Sequence, residues 1–340
     1  MEKVALCWEA LGYGYTRTDY NYVSRWANGA WDAGRLTTEH SVTISIGSAA
    51  LHYGQECFEG LKARTARDGR VLLFRPDRNA ARMIASARGI AMPAVPEDKF
   101  IDACRQLVRA NLRWVPPYGS GAAFYLRPVL FGHGDNLGAK PADEYLFCIY
   151  GSPVGPYFQG TLRPIHVCVA DADRAAPRGT GALKIGGNYA AGLRLRKQAA
   201  EAGYDDCLFL DARQRRYIEE LGGANVFVIR KDKVLVTPQS DSILPSITRH
   251  SLMSLAKNSL GLKVEERPLP LEELSDCHEA AACGTALGIV PIGSVSSRER
   301  VYTFCEGGKK AGPLTRQIHD LLSAVQFGEC SAPDGWLVEV

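Results

Sequence analysis

Two hydrophobic periods alternate along this chain, and glycine or proline stands at many of the switches between them. VLLF (71–74), AAFYLRPVLFG (122–132), EYLFCIYG (144–151), RPIHVCVA (163–170) and DCLFLD (206–211) are short apolar runs of strand type. SVTISIG (41–47) alternates apolar and polar residues, which predicts a further strand. Helical spacing takes over in DRNAARMIASARGI, where Asp77 is an N-cap candidate and Pro93 lies just beyond. It returns in EDKFIDACRQLVRANLRW, with Phe100, Cys104, Leu107 and Leu112 on one face and a stop at Pro116–Pro117. AAGLRLRKQAAEAGY predicts a helix ahead of the 206–211 strand, and NVFVIR with KVLVTP predicts a hairpin turning at Lys231–Asp232. SITRHSLMSLAKNSLG predicts a helix capped by Ser246 and stopped at Gly261. An amphipathic helix, GPLTRQIHDLLSAVQ, follows near the end. No segment repeats, so the pattern is a mixed α and β fold.

At 340 residues the chain has length for two domains and a substantial core in each. Pro and Gly in SPVGPYFQG mark the break. This predicts a small α/β domain over 1–150, a linker over 151–160 and a larger domain over 161–340. Lys+Arg 40 against Asp+Glu 37 leaves a formal charge of +3, too small for a dedicated nucleic-acid binder. Glycine is the compositional deviation, 34 of 340 residues against a usual ~7%. Such an excess without repeats fits tight turns and close backbone approach to a ligand. No apolar stretch approaches the roughly 20 residues of a membrane helix, and the first residues lack the pattern of a secretory signal. Ten cysteines are scattered singly, and Cys277 and Cys283 do not form a C-x-x-C. They predict reduced thiols in a cytoplasmic protein, with no metal site.

Particular residues carry chemistry. Lys184, in GTGALKIGGNY, is flanked by Ala, Leu and Ile on a strand-like segment and followed by two glycines. Desolvation there would lower its pKa and make its amine a nucleophile for carbonyls, with Tyr189 five residues on as a hydrogen-bonding neighbour. An ordinary lysine with its stem along apolar surface is the competing reading. Glu219 and Glu220 precede Gly-Gly and an apolar strand, so alternation predicts one inward and one outward carboxylate. The inward one needs a cation, a role a protonated pyridine nitrogen would fill; two solvated glutamates are the alternative. LPSITRHSL offers a helix N-terminus with Ser246 and Thr248 as a phosphate cradle, to which the Gly-Thr turn at 284–285 and Arg82 could contribute. Taken singly, each is also an ordinary cap, turn or solvated arginine.

Seven blocks in register change that balance. LHYGQECFEGLKA (51–63), LFRPDRNAARM (73–83), FYLRPVLFG (124–132), ALKIGGNYAAGL (182–193), IEELGGAN (218–225), ILPSITRHSL (243–252) and ACGTALGIVPIG (282–293) follow one another along the chain. Together they resemble the branched-chain amino-acid aminotransferases of the fold type IV class of pyridoxal-phosphate enzymes. The resemblance implies a two-domain fold with a barrel-like sheet in the larger domain and pyridoxal 5'-phosphate as cofactor. It further implies ping-pong transamination of leucine, isoleucine and valine with 2-oxoglutarate. Lys184 matches the Schiff-base and proton-transfer lysine, Tyr189 the tyrosine on the cofactor's phenolic oxygen, and Glu220 the carboxylate on its ring nitrogen. Glu219 is then the outward neighbour. Arg82 matches the phosphate-binding arginine, with the Ile247 and Thr248 amides and Thr285 completing the cup. Tyr53, Arg127 and the Thr285–Ala286 turn match the groups that hold the substrate α-carboxylate. Phe58, Tyr125 and Tyr157 match the side-chain pocket. Leu137 and Ala139 match a loop that closes the pocket of a second subunit, which implies a homodimer with shared sites.

Departures from the family pattern are local. Leu287 and Val290 stand where some relatives carry a C-x-x-C redox pair, so no thiol switch is expected there, and Cys283 reads as a small buried residue. Arg17, in YGYTRTDYNY, falls near where some relatives place a pocket aromatic. His52, beside Tyr53, suits a packing or hydrogen-bonded role better than that of a general base. Two other chemistries fit the same fold type, a D-amino-acid aminotransferase and an aminodeoxychorismate lyase. A non-catalytic relative that keeps the cofactor site is a third alternative.

Overall fold

The computed structural model describes residues 2–340 except 156, 158–161 and 177. Two units emerge from the contacts. One comprises Met1–Tyr157, Leu183–Gly186 and Ala324–Val340; the other comprises Phe158–Ala182 and Gly187–Ser323. The four residues around Lys184 and the C-terminal segment thus belong with the first unit, although they lie beyond the 151–160 break expected from sequence. Strand pairing explains the second case, since Leu337–Glu339 runs antiparallel to Val71–Phe74. The expected linker itself begins inside a strand, Glu144–Val154, and 156 and 158–160 lie outside the described residues.

The first unit is an antiparallel nine-stranded sheet. Its order runs Leu337–Glu339, Val71–Phe74, Leu61–Thr65, Ala123–His133, Glu144–Val154, Asn21–Ala27 and Ala30–Trp31. Arg35–Thr37 and Glu56–Phe58 pair off this path, the latter with Ala123–His133. Helices Pro76–Gly89 and Glu97–Ala110 belong to the same unit. In the second helix Phe100, Ala103, Cys104, Leu107 and Val108 are buried, the i, i+3, i+4 rhythm of a helix with one dry face. They join Phe124, Phe147, Leu61 and Leu73 in one core. The first helix starts at Pro76 rather than at a cap on Asp77, because proline suits the first helical position. Arg75 stands at the cap in the left-handed region, with φ of 51°. Residues 41–47 form no strand. Ser45 hydrogen-bonds Asp135 and the Gly47 amide, turning the chain, and Ile46 is left 89% exposed. Alternation makes a strand only where a partner edge accepts it.

In the second unit six strands close on themselves. Ile165–Val169 pairs with Asp206–Leu210, then follow Tyr217–Leu221, Asn225–Arg230, Cys277–Gly284 and Gly288–Ser296, which pairs back with Ile165–Val169. This is the barrel-like sheet the resemblance implied. Its interior is apolar, built from Leu208, Ile218, Val226, Val228, Ile292 and Val295 among others. The predicted hairpin is present, with Val228 opposite Val236 and Ile229 opposite Leu235. Helix Ile247–Asn258 carries Ser246 as N-cap, its hydroxyl accepting from the Arg249 amide, and Gly261 beyond its end has φ of 65°. The helix expected from Ala190 starts earlier, at Gly186, and the last long helix is Pro313–Gln326. Among the described residues no helix is long and apolar enough to cross a membrane.

Candidate active site

Lys184 lies in irregular chain just before helix Gly186–Glu201, not in a strand. Its backbone is pinned on both sides. The amide donates to Ser86 Oγ at 2.9 Å, and its carbonyl accepts from the Phe58 amide at 3.0 Å. The half-buried side chain carries its Nζ 4.7 Å from the centre of the Phe58 ring. Burial lowers the amine's pKa from 10.5 to about 8; Arg82 and Arg127 push the same way, while Glu59 and Tyr125 oppose. The neutral amine is therefore accessible near neutral pH, the condition for nucleophilic attack on a carbonyl.

Arg82, on helix Pro76–Gly89, is buried and bound in a fork by a residue the sequence reading passed over, Glu59. Its Nε donates to Glu59 Oε1 at 2.7 Å and its Nη2 to Oε2 at 2.8 Å. Nothing local in the sequence flags Glu59; its burial comes from the fold. Arg127 lies on the strand Ala123–His133. Its Nη2 donates to the Tyr125 hydroxyl at 3.1 Å, and its guanidinium stands 4.9 Å from the Phe58 ring centre and 5.3 Å from that of Tyr125. Arg127 Nε is buried with no hydrogen-bond partner among the described residues. The Tyr125 phenol raises the pKa of Arg127 against the opposing effect of burial, so the group stays cationic. A buried guanidinium N–H without an acceptor suits a carboxylate. Nearby, Glu56 accepts from the Gly186 amide, and burial raises its pKa.

The aromatic that packs on Tyr125 is Tyr13, whereas Arg17 is exposed. Tyr13 meets Tyr125 edge-on at 5.6 Å and Tyr157 at 5.1 Å between centroids, with Lys62 Nζ 5.7 Å from its ring centre. Burial raises the pKa of Tyr13. The tyrosine-rich run YGYTRTDYNY was the available signal, and packing selects which ring turns in. Tyr53 ends a short helix, Ala49–Tyr53, and its hydroxyl donates to the Leu137 carbonyl at 2.7 Å. That ties it to the loop carrying Leu137 and Ala139, both exposed. His52 Nε2 lies 2.6 Å from the Ile46 carbonyl, which requires a proton on that nitrogen and gives the ring a hydrogen-bonded role.

The second unit places Glu220 on the strand Tyr217–Leu221, buried. Its Oε1 accepts from the Leu244 amide at 3.1 Å and pairs with Arg174 Nε at 2.8 Å; its Oε2 accepts from Asn225 at 3.0 Å. Arg174 also donates to the carbonyls of Gly181 and Ser242. Glu219 departs from expectation. It is not an outward, solvated neighbour but only 3% exposed, accepting from Ser240 Oγ at 2.9 Å. Burial raises its pKa, opposed by Ser240 and by Arg174. Alternation does send the two side chains to opposite faces, but in this strand both faces are covered. Tyr189 is half-buried on helix Gly186–Glu201. Ile247 and Thr248 are the first two residues of their helix, where backbone N–H groups lack helical acceptors. Thr285 and Ala286 form the turn between Cys277–Gly284 and Gly288–Ser296.

The first unit therefore gathers Lys184, Arg82, Phe58, Tyr125 and Arg127, with Tyr157 beside Tyr13. The second gathers Glu220 with Arg174 and presents the 247–248 helix start and the 285–286 turn. Known proteins resemble the chain along its length. The model of the amino-transferase class IV family matches residues 56–295. A branched-chain-amino-acid aminotransferase of Haemophilus influenzae is 47% identical, covering 98% of this chain and 99% of its own. Among solved structures, the branched-chain amino acid aminotransferase of Escherichia coli has a TM-score of 0.78 at 30% identity, covering 94% of this chain and 98% of its own. That of Thermobaculum terrenum in its PLP-form (holo-form) has a TM-score of 0.79 at 26% identity, covering 95% and 98%. With the family model spanning more than half its length and a near full-length relative at that identity, this chain belongs to the amino-transferase class IV family.

Proposed function

We propose that the protein transfers the amino group of branched-chain L-amino acids to 2-oxoglutarate, yielding branched-chain 2-oxo acids and L-glutamate, with pyridoxal 5'-phosphate as cofactor. The observation that carries this reading is the Lys184 amine, lowered to about 8 beside the Phe58 ring, Arg82 and Arg127. The donor set fits the cofactor: an amine of low basicity for its aldehyde, and a buried carboxylate held by an amide, an asparagine and an arginine for its ring nitrogen. Arg82, the Ile247 and Thr248 amides and Thr285 would hold its phosphate, and Tyr189 its phenolic oxygen. When bound, the cofactor supplies an electron sink for charge developing at the substrate α-carbon.

Lys184 Nζ, unprotonated above about pH 8, takes the proton from the substrate Cα and acts as acid once it carries it. Glu220, kept in place by Arg174, is the counter-charge that favours a cationic ring nitrogen. Tyr53, Arg127 and the Thr285–Ala286 turn orient the substrate carboxylates. Phe58, Tyr125 and Tyr157 exclude water around the aliphatic side chain. Both half-reactions use one site, so a pocket walled by rings with a guanidinium at its edge must accept an isobutyl group and, in turn, a γ-carboxylate. Leu137 and Ala139 would complete the pocket of a second copy in a homodimer. Ten free cysteines favour a reducing compartment, the cytoplasm.

The test is an amino-donor panel on the purified protein. L-leucine with 2-oxoglutarate should yield keto acid and glutamate, and borohydride should fix the cofactor onto Lys184. Turnover of D-alanine or aminodeoxychorismate instead of L-leucine would assign a different chemistry on the same fold, and a fixed cofactor with no turnover would mean a non-catalytic binder.

A further inference from the structure

We propose that Glu59 is a positioning residue of this site: it fixes the plane of the Arg82 guanidinium toward the cofactor phosphate. The inference rests on the reading above of Arg82 and Lys184. Glu59 follows the strand Glu56–Phe58 and precedes Leu61–Thr65, and it is 0% exposed. Four donors converge on its carboxylate. Arg82 supplies two, Asn79 Nδ2 reaches Oε2 at 2.7 Å, and the Gly60 amide reaches the same oxygen at 3.2 Å. Asn79 and Arg82 are three residues apart on helix Pro76–Gly89, so one helical face turns two donors to this acid.

A buried ion pair is weak evidence for stability, because desolvating both charges offsets much of their attraction. Its geometric effect is clearer. Two parallel N–H···O bonds engage the Nε and Nη2 edge of Arg82 and remove the guanidinium's freedom to rotate. Without the carboxylate, the guanidinium loses both of these bonds and the constraint they place on its plane. The pair also bears on Lys184. Arg82 and Arg127 press its charged form down, Glu59 and Tyr125 hold it up, and the Phe58 ring faces its Nζ. Two other titratable groups feel Glu59, the thiols of Cys57 and Cys104, both raised chiefly by burial.

The test compares full-length wild type and Glu59→Gln, each freed of cofactor. Each is titrated with pyridoxal 5'-phosphate and with pyridoxal, and the pH midpoint for amine labelling of Lys184 is read by mass spectrometry. We expect Glu59→Gln to lose roughly tenfold or more in affinity for the phosphorylated aldehyde and less than twofold for pyridoxal, since only the former uses Arg82. Removing the anion should also move the Lys184 midpoint below the wild-type value. Equal losses for both aldehydes, or no change in affinity and midpoint, would overturn the proposal. Glu59→Asp keeps the charge but shortens the reach: the phosphate-specific loss should persist while the midpoint returns toward wild type. If Glu59→Gln does not fold, this second variant decides, and wild-type affinity for pyridoxal 5'-phosphate in Glu59→Asp refutes the positioning role. Failure of wild type to capture either aldehyde on Lys184 would refute the cofactor reading instead.

Discussion

The amine of Lys184 is half-charged near pH 8, and that has a consequence for stability as well as reactivity. Its folded pKa lies below the unfolded value of 10.5, so between about 8 and 10.5 the unfolded chain binds more protons than the folded one. Cofactor-free protein should therefore gain stability from this group as pH rises through that window. Urea midpoints should show a flatter pH slope for Lys184→Met there, and parallel slopes would contradict the depressed pKa. Arg127 makes a second residue-level prediction. Its unpartnered Nε and its place over two rings suit a carboxylate better than an aliphatic chain. Arg127→Ala should weaken 2-oxoglutarate more than leucine in separate half-reactions, and equal losses would sink that division of labour. Cys283 belongs to the same scale. Burial pushes its thiol up to about 12, and Leu287 and Val290 offer no disulfide partner beside it. Alkylating reagents at pH 8 should leave Cys283 unmodified in the native protein, and mild oxidants should leave activity unchanged.

Among the elements, helix Ile247–Asn258 joins a local signal to a proposed role. Ser246 Oγ accepts from the Arg249 amide, so the next amides, Ile247 and Thr248, are presented at a fixed helix start. Ser246→Ala should cost about 1 kcal/mol in unfolding free energy. It should also weaken pyridoxal 5'-phosphate more than pyridoxal, a difference that direct titration would reveal or refute. Capping, the hairpin at Lys231–Asp232 and the apolar stripe of Glu97–Ala110 were legible because each is decided within a few residues of chain. Residues 41–47 were misread because a strand is decided by a partner edge that the sequence does not display. Glu219 was misread for a related reason: alternation says which way a side chain points but not whether that side is covered.

For the whole molecule, an exposed apolar group in the first unit is where the proposed homodimer can be tested. Ile46 is 89% and Leu137 95% exposed, with Leu51 and Tyr53 also on the surface. Their loops are tied together, Tyr53 to the Leu137 carbonyl and the Asn136 amide to the Gly47 carbonyl at 3.0 Å. Exposed apolar side chains of this kind are a burden on a monomer and an asset at an interface. Replacing both Ile46 and Leu137 with Asp should shift the protein toward monomer in light scattering and reduce turnover in step with dimer loss. A monodisperse monomer in the unmodified protein would remove the homodimer from the reading.

From the order of apolar periods and the caps, the sequence alone determined a mixed α and β chain, and from the seven blocks the family whose chemistry is to be expected of it. These features are local or linear, carried by neighbours along the chain. Only the tertiary structure decided that Glu59 would sit dry beneath Arg82, that Tyr13 rather than Arg17 would face Tyr125, and that Glu219 would be buried beside Glu220. Each depends on which surfaces distant segments cover. A carboxylate's partner, and hence its charge and orientation, is set by that covering and not by the residues on either side of it.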